Sequence, residues 1–405
     1  MRKLIKIFAA VTAIGCILSF LAVKAPFIFN NNLGNFGFSD DNRRAVKTNE
    51  MRALWVPFMS LELKDGNRAY ADFKDKFNGI MNTAINNDLN TLIVHIRPFC
   101  DALYKSDIFP ASHILTGVQG GKCDFDALKY MITAAHRRGL YIHAWINPYR
   151  VTSDKSNFEL SDKNPIYNLD SDSVLEWENG IYLNPSSYSA RELIINGVKE
   201  VLENYDVDGI HFDDYFYPTT AKSYDKSSYD NYLSTLDENS IPLTLNEWRT
   251  ANVNMLISYV YKSVHSVKKD VVFGISPQGN VQNDLNMGAD VYAWGSIPGY
   301  VDYLCPQIYT NDENPYLPFK KTCKQWQKLV KLDNVKLYIG LALYKSGSDC
   351  DEGTWLKSQD DIARQIAYTR KLNCDGFALY SYEYLSNKET EKEVAYMLDT
   401  IRETA

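Results

Sequence analysis

The feature that most constrains this chain is one pattern repeated eight times: a short apolar run rich in β-formers, a loop with polar and aromatic residues, then an amphipathic stretch. The runs are Arg52–Phe58, Thr91–Pro98, Leu140–Asn147, Asp208–Tyr215, Val271–Pro277, Asp302–Tyr309, Lys336–Leu343 and Asp375–Tyr382. Between them, apolar residues recur three and four apart, as in Phe73, Phe77, Ile80 and Ala84, then Ile194, Val198, Val201, Leu202 and Tyr205. That spacing places one apolar stripe on each helix. Strict alternation of strand and helix demands a parallel sheet, because each helix must return the chain to the same edge. Eight such units close on themselves and leave no open edge. The expectation is therefore an α/β fold, a (β/α)8 TIM barrel over residues 51–402. An open doubly wound sheet would carry a Gly-rich phosphate loop after its first strand, and Pro57-Phe58-Met59-Ser60 is nothing like one.

Ahead of the barrel, Arg2, Lys3 and Lys6 precede an uncharged run of 17 residues from Ile7 to Val23. Its length falls between the ~7–15 apolar residues of a cleaved signal and the ~17–25 of a bilayer span. Residues 1–29 are read as a signal peptide or signal-anchor and 30–50 as a polar linker. Basic residues in front of such a segment stay cytoplasmic, so the barrel is expected outside the cytoplasm, secreted or, if the segment is uncleaved, held at the membrane. Ala13-Ile14-Gly15-Cys16 also resembles a lipoprotein cleavage box, which would put lipid on Cys16. The other six cysteines show no C-x-x-C spacing, and a chain this large needs no staples, so isolated thiols are expected. The net charge of −7 with scattered basic residues argues against a nucleic-acid partner. By contrast, 28 tyrosines and 7 tryptophans suit surfaces that stack on sugar rings.

Side chains two apart on a strand share a face. By that rule His95 and Arg97 share one, His143, Trp145 and Asn147 another, and His211 and Asp213 a third, while Val94, Ile96, Ala144, Ile146, Ile210 and Phe212 face the helices. The polar set should point into the barrel. The three histidines are expected to form a satisfied hydrogen-bonded layer under the site, with a metal site as the rival reading. Asp213 ends strand four, where barrels of this kind carry their chemistry. Asp214 beside it suits a loop cap or an arginine partner.

The stretches Arg97-Pro98-Phe99-Cys100-Asp101-Ala102-Leu103-Tyr104, Leu115-Thr116-Gly117-Val118-Gln119-Gly120, His143 to Arg150 and Asp208 to Pro218 resemble the glycosyl hydrolase-like 10 family. Ser276-Pro277 and Pro306-Gln307-Ile308-Tyr309 fit the same pattern, and the match runs over about residues 50 to 385. The resemblance implies a (β/α)8 barrel related to bacterial cell-envelope glycan hydrolases. Strand four also resembles the Asp-Gly-Phe-Arg-x-Asp strand of α-amylase-type barrels, whose nucleophile falls on Asp213. The chain departs from the family at Pro110-Ala111 and Gln278-Gly279, and no acid lies within strand five, where amylase-type barrels place the acid/base.

Cleaving a glycosidic bond takes one group to protonate the leaving oxygen and another to attack the sugar or activate water. Asp213 is expected to be nucleophile or base, with Asp101, then Glu247 and Glu383, as candidate acids. Arg97, Tyr104, Asn147, Tyr149, Asp214, Tyr215, Gln307 and Tyr309 are the expected substrate-binding residues. The function so implied is a glycoside hydrolase acting on a cell-envelope polysaccharide, the glycan strands of peptidoglycan, with no cofactor and no metal. The alternatives are a surface barrel that binds glycan without cutting it and, after that, a metal-dependent hydrolase or deacetylase using the histidines.

Overall fold

A computed structural model describes residues 44–64 and 68–403. The expected export or anchor segment, the Cys16 box and the linker as far as residue 43 lie outside the described residues. Within them, eight strands follow in chain order: β1 (Met51–Val56), β2 (Thr91–Arg97), β3 (Tyr141–Ile146), β4 (Gly209–Phe212), β5 (Val272–Ile275), β6 (Tyr303–Leu304), β7 (Lys336–Leu341) and β8 (Gly376–Leu379). Every neighbouring pair is parallel, and β8 pairs with β1 to close the barrel. This is the (β/α)8 architecture expected from the repeat. Among the described residues no helix is long and apolar enough to cross a membrane.

Strand alternation divides the core in two. Leu54, Val56, Leu92, Val94, Ile142, Ala144, Ile210 and Phe212 join the outer core under the helices. Met51, Ala53, Trp55, Ile93, Trp145, Tyr303, Cys305 and Ala378 fill the barrel itself. Gly274 on β5 makes room there, since a Cβ at that position would run into the Tyr303 ring. The helices bury the expected stripes: Phe73, Phe77, Ile80, Met81 and Ala84 on Tyr70–Asn86, and Ile194, Val198, Val201 and Leu202 on Tyr188–Asn204.

The N-terminal rim carries a device that the strand pattern alone does not announce. Asn90, Asp208, Asp302 and Asp375 each precede an even-numbered strand, and each accepts a backbone N–H at the start of the odd-numbered strand before it. The donors are Arg52 at 2.9 Å, Ile142 at 2.7 Å, Phe273 at 2.6 Å and Leu337 at 3.0 Å. These are N–H groups that would otherwise lack a partner at the barrel floor. His136 and His265 bind the acids at 208 and 302 from the helix side.

On the opposite rim the loops are long. The segment after β3, expected to be a polar loop, contains a three-stranded antiparallel sheet of Arg150–Thr152, Gly180–Leu183 and Val174–Trp177. Its hairpin turns at Glu178-Asn179, with Glu178 in the left-handed region at φ 51°. The segment after β4 contains a helix, Lys226–Ser234. No disulfide joins the described cysteines. The described cysteines are free thiols, as expected, and the neighbouring Cys374 thiol together with burial pushes the Cys323 thiol up.

Candidate functional site

The site grows from the end of β4. Ile210 and Phe212 face the helices, so His211 faces the axis and Asp213 follows it inward at the rim, 2% exposed. Its carboxylate accepts hydrogen bonds from Trp145 Nε1 at 3.3 Å, from Asn147 Nδ2 and from the Tyr215 N–H at 3.4 Å. Asn147 is itself fixed, because its Oδ1 receives His95 Nε2 at 2.6 Å and Arg150 Nη2. Arg150 donates Nε to the Pro98 carbonyl at 3.1 Å and lies 5.0 Å from the ring centroids of both Phe99 and Tyr215. Five residues, on β2, on β3 and in the segments after β3 and β4, thus lock one carboxyl.

Burial is the first cause of its electrostatics. It pushes Asp213 up to about 7, with the Asp214 charge adding to the rise and Arg150, the Tyr215 N–H and Trp145 opposing it. Near neutral pH the group is poised between its two protonation states. Asp214, partly exposed, is also raised by burial and is held by Gln307 Nε2 at 3.1 Å. Gln307 is oriented in turn by the Ser276 carbonyl at 2.9 Å.

Beneath the carboxyls lies the histidine layer. His95 stacks on Trp145 with centroids 3.7 Å apart. His143 Nδ1 and His211 Nδ1 meet the Tyr303 hydroxyl at 2.9 and 2.8 Å, and His211 Nε2 meets Ser276 Oγ at 2.9 Å. A hydroxyl offers one proton, so one histidine donates to Tyr303 and the other accepts from it. Burial pushes His143 down to about 4 and the other two well below the ordinary range, which keeps all three neutral. Among the described residues no three His, Cys, Asp or Glu side chains are grouped to hold a metal ion.

Aromatic rings wall the mouth. Trp55 contacts Tyr309 and Tyr380 at 6.4 and 6.0 Å, and Tyr344 packs on both tyrosines at 5.8 Å. The charges of Glu383 and Asp213 reach Tyr380, and that of Asp214 reaches Tyr309.

Other expected residues fall elsewhere. A β-bulge after His95 pairs Arg97 with Ile146, an outward residue, so strand parity breaks at that point. Arg97 turns away from the mouth to lie 4.5 Å from the Phe109 ring centroid, where a Cβ on Gly197 would strike it. Tyr104 packs on Tyr205 at 5.7 Å and lines a surface cavity of about 260 Å3 with Lys105, Phe109 and Phe125, outside the barrel. Tyr149 is 1% exposed in the outer core, its hydroxyl without a partner among the described residues.

Two of the candidate acids, Asp101 and Glu247, are held elsewhere. Asp101 has no exposed surface and faces His113 Nδ1 at 3.4 Å. Glu247 is the third residue of helix Leu245–Val267, where it closes a capping box with Thr244 and is held below the ordinary range by those hydrogen bonds. Thr244-x-x-Glu247 is itself the sequence signature of such a cap. Glu383 lies past β8 at the same rim as Asp213, accepts the hydroxyls of Ser60 and Ser381, and its charge, like that of Asp213, reaches Tyr380. Asn147, Asp214, Tyr215, Gln307 and Tyr309 are at the mouth with Asp213. Sequence reasoning passed over two groups. Arg150 stands in the sequence only as the last residue of the His143–Arg150 stretch. Asp284, which accepts the Gln278 N–H at 2.9 Å, is held protonated by burial within reach of the Asp214 charge.

The closed barrel thus carries a carboxyl pair, raised by burial, at the rim formed by the C-terminal ends of its strands. The chain belongs to the glycosyl hydrolase-like 10 family, whose profile matches residues 50–357. It is 30% identical over 388 residues to glycosyl hydrolase YngK of Bacillus subtilis (strain 168), covering 89% of this chain and 70% of that protein. It is 29% identical over 342 residues to glycosyl hydrolase DigH of Escherichia coli (strain K12), covering 76% and 75%. Among solved structures it resembles the glycoside hydrolase domain of PgaB (BpsB) from Bordetella bronchiseptica, with a TM-score of 0.56 at 13% identity over 86% of this chain and 99% of that one. At that identity the likeness is one of fold.

Proposed function

We propose that the protein is a glycoside hydrolase that cleaves a cell-envelope polysaccharide, the glycan strands of peptidoglycan, through a carboxyl mechanism centred on Asp213. One observation carries the reading: an inward carboxyl at the catalytic rim, fixed by Trp145, Asn147 and Tyr215 and pushed by burial up to about 7. A carboxyl poised there can serve in either protonation state at neutral pH. Asp214 is the second acidic group of the site, Tyr215 and Tyr309 present rings to sugar faces, and Gln307, whose amide protons go to Asp214 and the Ser276 carbonyl, leaves its Oε1 for a hydroxyl. The apolar run Ile7–Val23 behind basic residues supports a place outside the cytoplasm, where such strands occur.

The test is release of reducing ends from purified glycan strands by the wild type and by Asp213→Asn. Turnover should fall by ~10³-fold or more while the folded state persists. Unchanged turnover in a folded variant would remove Asp213 from the mechanism. Strand binding by the wild type with no reducing ends released would favour a barrel that binds glycan without cutting it.

A further inference from the structure

Asp214 carries the charge of the carboxyl pair, and one side-chain amide holds it. Gln307 donates Nε2 to Asp214 Oδ1 at 3.1 Å and to the Ser276 carbonyl at 2.9 Å. Gln307 lies three residues past the end of β6, where the turn after β5 fixes its backbone: its N–H donates to the Pro277 carbonyl at 2.9 Å, and Gln278 and Gln307 form an isolated parallel bridge. The two backbones approach so closely that a Cβ on Gly279 would lie 2.5 Å from the Gln307 carbonyl oxygen. The turn is fixed in its own right by Asp284, on the short helix Val281–Asn286, whose Oδ1 accepts the Gln278 N–H at 2.9 Å. Asp284 is 2% exposed, and its Oδ2 has no hydrogen-bond partner among the described residues. A carboxyl so enclosed keeps its proton, and the neutral acid gives the turn an acceptor without adding a charge beside Asp214.

Resting on the hydrolase reading above, we propose that Asp284 is a positioning residue of the site: it fixes the turn at residues 276–278, the turn fixes Gln307, and Gln307 aims the Asp214 carboxylate. Asp284 acts through Gln278 and Gln307 rather than on the sugar. The groups that set the charge of Asp214 are Asp213 beside it, Arg150 from the segment after β3, Asp284 after β5, and Gln307 and Tyr309 after β6. Of these, the Gln307 amide favours the charged form by donating to it, so the titration of Asp214 reports whether that amide is in place. Loss of the amide moves the midpoint upward. Loss of a negative charge at 284 would move it downward, so the two ways in which Asp284 could act on Asp214 differ in sign.

The experiment is a carbon-13 NMR titration of the aspartate carboxyls in the full chain, with Asp214→Asn identifying the Asp214 resonance. Asp284→Ala and Gln307→Leu are each expected to raise the Asp214 midpoint by ~1 pH unit, and the double variant no further than either alone. Gly279→Ala parts the same two backbones without changing a carboxyl and should raise the midpoint in the same sense, which decides the matter if Asp284→Ala does not fold. Asp284→Asn keeps the acceptor, so it should restore the wild-type midpoint together with turnover on peptide-free glycan strands, which falls ~10-fold or more in Asp284→Ala. An unshifted midpoint in folded Asp284→Ala overturns the proposal, as do additive shifts in the double variant. A lowered midpoint in Asp284→Asn overturns it as well, because Asp284 then acts as a charge and not as a strut. The titration needs no substrate, so a wild type that cuts no strand overturns the hydrolase reading and leaves the link from Asp284 to Asp214 to be decided by the midpoints.

Discussion

At the scale of the residue, Arg150 is the hinge of the site. It holds Asn147, which holds Asp213, and its guanidinium lies between two rings, a geometry that an ammonium on a flexible stem does not reproduce. Arg150→Lys is therefore expected to cut turnover by ~100-fold through misplacement of the carboxyl, with circular dichroism unchanged. The raised Asp213 has a second consequence. Its folded value of about 7 lies above the ~3.9 of an unfolded chain, so the native state binds this proton more tightly. Its contribution to stability is complete below about pH 4 and is lost as the pH rises through about 7. Glu393, raised to about 7 by burial, acts in the same sense. Asparagine does not titrate, so Asp213→Asn should raise the thermal midpoint relative to wild type more at pH 8 than at pH 5, by calorimetry in matched salt. Asp213 was legible because parity is a local property of a regular strand. Arg97 was not, because one bulge after His95 reverses parity and nothing in Val94-His95-Ile96-Arg97 marks it.

At the scale of the element, the floor of the barrel is tied by one acceptor for each pair of strands. Removing such an acceptor strands a buried N–H, so Asp208→Ala and Asp302→Ala are each expected to lower stability by ~1–3 kcal/mol in urea denaturation. Asparagine at the same positions keeps an acceptor and should recover part of that loss. This work is separate from catalysis, since these residues lie at the rim opposite the carboxyl pair, and kcat of the folded variants should stay near wild type. The turn residues before the strands were legible as polar punctuation, but their pairing with the preceding strand was not. Glu247 shows the converse. Its capping role was written in Thr244-x-x-Glu247, a local signal that accounts for the acid without a catalytic task. The small sheet after β3 was missed for another reason: Val174-Leu175-Glu176-Trp177 is too short to stand out from a Tyr-rich polar segment.

At the scale of the whole molecule, closure makes residues on opposite staves compete for one interior. Tyr303 fills the space left by Gly274 and bridges His143 and His211. Gly274→Ala should overpack that layer and cost ~1–3 kcal/mol, measured by denaturation, while Gly299→Ala, with no atom within 4 Å of the added carbon, meets no such contact and pays only for its φ of +101°. The sequence by itself determined the periodicities, and with them eight staves, their parallel order, the outward stripes and the inward direction of Asp213. These follow from the dihedral preferences and hydrophobicity of neighbouring residues, which no distant contact has to supply. Only the tertiary structure decided which polar atoms meet. The Asn147–Asp213 contact spans 66 positions and His143–Tyr303 spans 160, and bulges, loop lengths and barrel closure set those approaches. A hydrogen bond is made or lost within about half an ångström, a precision that strand periodicity does not carry.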